Sequence, residues 1–262
     1  MSYRYQMTVA YDGARYFGWQ VQPDKTTVQG ELERVLLELT GESTRVHCSG
    51  RTDTGVHARG QVAHFDLESE LQPPRALLGL NALLPEDIRV LTLKKASADF
   101  HSRFSATAKE YRYFIWNGPV LPPHVRLYRT HIKTPLDTKA MAQAAKALVG
   151  RNDFAAFSAN PNREIGETVR LVHELTVRRH GHEIVLIARG EGFLYKMVRS
   201  LAGFLIRVGT GELEPDVAAG ILASGVRTAQ VPTAPPQGLF LWKVEYGGPA
   251  GAAQPAKPAS ES

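Results

Sequence analysis

What most constrains the fold of this chain is the order in which its apolar patterns change period along 262 residues. Tyr3, Tyr5, Met7, Val9 and Tyr11 alternate with Arg4, Gln6, Thr8 and Ala10, the period of a half-buried strand, and Asp12-Gly13 ends the run. Thr26 and Thr27 are good helix N-caps, and behind them Val28, Leu32, Val35, Leu36 and Leu39 fall on one helical face. A short strand over residues 46–49, another over 61–67, a helix opening at Pro73-Pro74 and a strand over 88–93 follow. The order is β-α-β-β-α-β.

The order then repeats with longer insertions. Residues 110–116 read as an aromatic-rich strand. Asp137 caps a helix carrying Met141, Ala145 and Leu148, which Gly150 closes. Residues 169–178 and 183–189 form a hairpin across His180-Gly181-His182. Residues 193–208 make a strongly apolar helix, a shorter helix starts at Pro215, and 238–246 is the last strand. Two such units are two ferredoxin-like halves, an α/β (α+β) protein with a cleft where the halves join. The expected division is 1–104 and 105–247. The Gly, Ala, Pro and Ser residues of 248–262 carry no core-forming pattern and are expected to be disordered.

Within that frame the segment Gly50-Arg51-Thr52-Asp53-Thr54-Gly55-Val56-His57 sets one carboxylate in a glycine-bounded loop, with an arginine two residues before it. Asp and Gly favour turns for backbone reasons alone, yet loops on a rigid scaffold are also where catalytic groups sit. Arginine supplies 21 of the 31 basic side chains in a chain of net charge +5. Its planar fork suits phosphate and its face stacks on bases, so an RNA partner fits, although GC-biased coding produces the same excess. Residues 11–20 place aromatics and Arg15 in one loop, a pattern that suits splayed bases or core packing equally. Lys196 and Arg199, three apart on the expected apolar helix, call for an anionic partner.

Other chemistries have little support. Cys48 is the only cysteine, so no intramolecular disulfide or multi-cysteine zinc site can form. The histidines lack metal-ligand spacing, no nucleotide-binding glycine loop occurs, and no metal or cofactor is expected. The N-terminus lacks a signal-peptide apolar region and no run is long enough for a membrane span, so a cytoplasmic protein is expected. Cys48 is a rival nucleophile, but a thiol in a short strand is more often simply buried. His57 and His64 read as hydrogen-bonded structural residues.

Six stretches together resemble the bacterial tRNA pseudouridine synthase A (TruA) family: YDGARYFGWQ, GRTDTGVHARGQVAHF, DFHSRFSATAKEYRY, NDFAAFS, FLYKMVRSLAGFLIRVG and TAPPQGLFLWKVEY. They run in family order over nearly the whole chain except the tail. The resemblance implies the pseudouridine synthase fold, two ferredoxin-like halves sharing a mostly antiparallel sheet. It implies a cofactor-free isomerase and a homodimer that converts uridine to pseudouridine at positions 38, 39 and 40 in the anticodon stem-loop of tRNA. On the same basis Asp53 is the catalytic aspartate, acting at uracil C6 or ribose C1′, and Arg199 its partner. Tyr111 is expected to stack on the target base, and Arg51 to contact the RNA beside the extracted nucleotide. A non-catalytic RNA-binding protein or RNA chaperone is the alternative, weakened by the lack of an RNP-type sequence.

Overall fold

The computed structural model describes residues 2–159 and 167–247. The expected disordered tail, 248–262, lies outside them. In the first half the strands are β1 (Tyr3–Tyr11), β2 (His47–Cys48), β3 (His57–Leu67) and β4 (Ile88–Lys95), with helices α1 (Val28–Thr40) and α2 (Pro73–Leu83). Alternation dictates β1: Tyr5, Met7, Val9 and Tyr11 are buried, and Tyr5 stacks on Phe65 of β3 at 5.6 Å. Thr27 caps α1 by accepting the Gly30 amide, and Gly41 ends it in the left-handed region. The buried face of α1 is Val28, Leu32, Val35 and Leu36, each side chain contributing about 1.5–3 kcal/mol of burial.

The second half adds β5 (Ala106–Trp116), β6 (Thr130–His131), α3 (Thr138–Ala147), β7 (Gly150–Asp153), β8 (Val169–His180), β9 (Glu183–Gly190), α4 (Met197–Gly209), α5 (Val217–Ser224) and β10 (Leu239–Tyr246). Asp137 caps α3 as its sequence requires. Gly150 does not close that helix. It opens β7, a short strand that pairs with β8 and carries no alternating apolar signal. The hairpin of β8 and β9 turns at Gly181.

All ten strands among the described residues join one sheet, with β4-β1-β3-β10-β5-β9-β8-β7 as its main path. Its pairs are antiparallel except β3 with β10 and β5 with β6. Each half has the strand order of a ferredoxin-like unit, and the seam between them is the short parallel pairing of Phe240 and Leu241 with His57 and Ala58. Further along β3, Ala63 and His64 pair instead with β2. One edge of β3 thus serves two neighbours, β10 near its start and β2 beyond, and the sheet forks between them. A single hydrophobic cluster runs through both halves. On β10, Trp242 carries the guanidinium groups of Arg112 and Arg59 at 4.0 and 4.4 Å from its ring centre.

Candidate active site at the fork of the sheet

The chain leaving β2 crosses the fork as residues 49–56 and is held there by buried polar bonds. The Ser49 hydroxyl donates to the Gln61 side chain, whose amide donates to the Gly50 carbonyl. Tyr11 and Thr52 share a 2.8 Å hydroxyl bond, the Trp19 amide donates to the Thr52 carbonyl, and the Val56 amide closes a turn on the Asp53 carbonyl. Gly18 explains why the preceding loop can come so close. Its φ is +83°, and a Cβ there would sit 2.6 Å from the Thr52 carbonyl oxygen, a position open only to glycine.

This scaffold points Asp53 into a cleft of about 830 Å³ whose walls include Arg51, Tyr111 and Arg199. The four residues singled out from the sequence therefore meet. Arg199, in the first turn of α4, donates Nη1–H to Asp53 Oδ2 at 2.8 Å. Its Nε–H is held by the Ala234 carbonyl at 2.8 Å. Both side chains are largely shielded, with 12% of Arg199 and 22% of Asp53 accessible, so the pair is less screened than a surface ion pair. Tyr111 stands on β5, and Phe193 meets its ring edge-on at 5.3 Å. Burial pushes the Tyr111 hydroxyl well above the usual phenol range, reinforced by the Cys48 thiol and the Asp53 carboxylate. It is an O–H donor at neutral pH. Arg51 is exposed on the same cleft wall.

Three sequence expectations change. The helix expected over 193–208 begins at Met197, and Lys196 is its N-cap residue in the left-handed region at φ 56°. Lys196 and Arg199 therefore do not share a helical face. Residues 193–196 instead form a loop on the cleft wall, because Phe193 turns back onto Tyr111 and Lys196 lies over the Tyr195 ring. In the loop of residues 11–20, Tyr11, Tyr16 and Trp19 are buried, with Tyr16 bonded to Asp87. Core packing is their role, and of the loop's aromatics Phe17 alone remains well exposed. Lys109 also lines the cleft. Its i, i+2 spacing from Tyr111 places both on one strand face.

Cys48 lies on the cleft wall, and burial pushes its thiol up to about 11, which leaves little thiolate for attack at neutral pH. His57 is buried, accepts the Gly13 amide at Nδ1 and donates from Nε2 to the Leu127 carbonyl. His64 is bonded at Nδ1 to Ser102, and burial presses it down to about 4. Both histidines join segments of the fold.

The forked sheet and its two ferredoxin-like halves form an α+β architecture. A family model described as tRNA pseudouridine synthase matches residues 7–105 and 144–247. A tRNA pseudouridine synthase A of Brevibacillus brevis is 45% identical over 243 residues, covering 93% of this chain and 99% of that one. The Listeria innocua protein of that name is 42% identical, with 93% and 99% covered, and that of Maridesulfovibrio salexigens 43%, with 93% and 90%. The chain belongs to the bacterial tRNA pseudouridine synthase A family.

Proposed function

We propose that this enzyme isomerises uridine to pseudouridine at positions 38, 39 and 40 in the anticodon stem-loop of tRNA, in the cytoplasm, as a homodimer and without a cofactor. Asp53 is the nucleophile. The observation that carries this reading is the Asp53–Arg199 pair, 2.8 Å long, set in a cleft beside Tyr111. A carboxylate is a weak nucleophile, so it must be aimed. Arg199 does this, since its own Nε is tied to Ala234. Family membership and the names of its relatives support tRNA as the substrate.

Residues 1–104 act as the half that supplies Asp53 and Arg51, and residues 105–247 as the half that supplies Tyr111 and Arg199. The target base must leave its stack to reach Asp53, at a cost of a few kcal/mol. The Tyr111 ring gives the extracted uracil a surface to lie on, and the exposed Arg51 fills or clamps the position it vacates. Asp53 acts at ribose C1′ or uracil C6.

The test is pseudouridine formation in an unmodified anticodon stem-loop by the wild-type enzyme and by Asp53→Asn at matched RNA occupancy. Product from the wild type and none from the variant is expected. Tight binding by both without product from either would instead make the chain an RNA-binding protein, with Asp53 a turn residue.

A further inference from the structure

Lys109 is a cation in the cleft that the roles above leave unused. It stands two residues before Tyr111 on β5, and its ammonium donates to the Ser49 carbonyl. Among the described residues it pairs with no carboxylate. An ammonium has three N–H donors, so two remain for the cleft. Gly50 fixes where they act. A Cβ at Gly50 would lie 3.3 Å from Lys109 Nζ and 3.6 Å from the Tyr111 hydroxyl, so the two donors converge on one point beside the Asp53 loop. Burial lowers the ammonium to about 8, opposed by Cys48 and reinforced by Arg103. A partly desolvated cation without a fixed anion is costly, and its position is explained if an anion forms beside it during turnover.

We propose that Lys109 is a further catalytic residue, whose ammonium hydrogen-bonds a carbonyl oxygen of the detached uracil anion while Tyr111 supports the ring. This rests on the placement of Asp53 and Tyr111 proposed above. On the C1′ branch, Asp53 bonds to C1′ as C1′–N1 breaks; the bonding pair leaves with the base, and its charge spreads from N1 onto O2 and O4. Lys109 gives up no proton in this step. It stabilises charge that is absent from the bound uridine, which is how a fixed donor raises a rate rather than an affinity. C5 of the base then bonds to C1′ as the Asp53–C1′ bond breaks and the carboxylate is regenerated, and the proton lost from C5 is balanced by one gained at N1. A backbone phosphate would be the other natural anion for a lysine. Convergence with the Tyr111 hydroxyl, on the strand face that receives the base, favours the uracil.

The experiment measures single-turnover pseudouridine formation at saturating enzyme, together with tRNA affinity, for wild type, Lys109→Met and Lys109→Arg. Lys109→Met should react about 10²–10³-fold more slowly, the range for loss of one donor to a developing oxyanion. Its tRNA affinity should stay within a few-fold of wild type, and Lys109→Arg should recover most of the rate. Weakened affinity with an unchanged saturated rate would overturn the proposal in favour of a phosphate contact, and wild-type behaviour of Lys109→Met would overturn it outright. The groups around Lys109 are Cys48 from β2, Arg103 from the loop before β5, and Tyr111 on its own strand. The rate at subsaturating enzyme, which follows the groups of the free enzyme, should fall as pH rises through about 8 and should not fall there in Lys109→Arg; a wild-type profile that matches that of Lys109→Arg would overturn the proposal. A wild type that forms no product would sink the proposed function itself, an outcome distinct from all of these.

Discussion

At the scale of single residues, geometry separates groups that chemistry alone would treat alike. Arg199 is held at two ends, by Asp53 and by the Ala234 carbonyl, and lysine can reproduce only one of them. Misplacing a reacting group by about 1 Å costs on the order of 10²-fold in rate, so Arg199→Lys should lose about that much in kcat while tRNA affinity stays near wild type. Steady-state kinetics beside a binding isotherm would show this, and an unchanged kcat would mean the Ala234 anchor is idle. Tyr111 poses the opposite case. Its hydroxyl is held protonated by burial and accepts no proton at neutral pH. Tyr111→Phe should keep activity within about tenfold of wild type, because the ring remains to stack, and Tyr111→Ala should lose it. A loss in Tyr111→Phe as deep as in Tyr111→Ala would show that the hydroxyl takes part in proton transfer.

At the scale of elements, the Asp53 loop is only as well placed as the loop packed behind it. Gly18 lets the chain after β1 come within contact of Thr52, at a backbone angle that other residues reach only with strain. Gly18→Ala should therefore cost about 1–3 kcal/mol in stability and reduce activity further than the folded fraction explains. Urea unfolding paired with kinetics on the folded protein measures both parts. A change in stability with full specific activity would separate the two loops. The same elements show what could be read in advance. β1, α1, α3 and the β8–β9 hairpin are written in local periodicity and caps, which act within a few residues. The start of α4 and the strand β7 are not. Phe193 leaves the helical path to reach Tyr111, and β7 is specified by its pairing with β8, both being contacts between segments distant in sequence. Lys109 carries no local signal for the same reason, because its partners Gly50 and Ser49 lie some sixty residues away in the chain. Asp53, Arg199, Tyr111 and Arg51 were legible through family motifs; their meeting in one cleft is a property of the fold.

For the molecule as a whole, charge enters twice. Arg45, Arg51, Arg103 and Lys196 stand around the cleft, so tRNA binding should weaken steeply as salt rises. Arg103→Ala should reduce the slope of log affinity against log salt by about one if that side chain meets a phosphate; an unchanged slope would remove it from the contact set. Acid acts on the fold itself. His64 falls to about 4 in the folded protein, against about 6.5 for an unfolded histidine. The unfolded chain therefore binds more protons between these values, so stability is full above pH about 6.5 and is lost as pH falls toward about 4. Urea midpoints at pH 7.5 and 5 should differ in that direction, and less so in His64→Gln. An equal difference in the variant would assign the acid sensitivity to other groups. The ion pair across the fork reaches further than local chemistry. Asp53 and Arg199 are 146 positions apart, one in the loop after β2 and the other in α4, so on the role proposed for Asp53 neither half holds a working carboxylate on its own. Activity is then a report on assembly. Two fragments cut between the halves would regain catalysis only on finding each other, as the two parts of a key turn a lock only once joined.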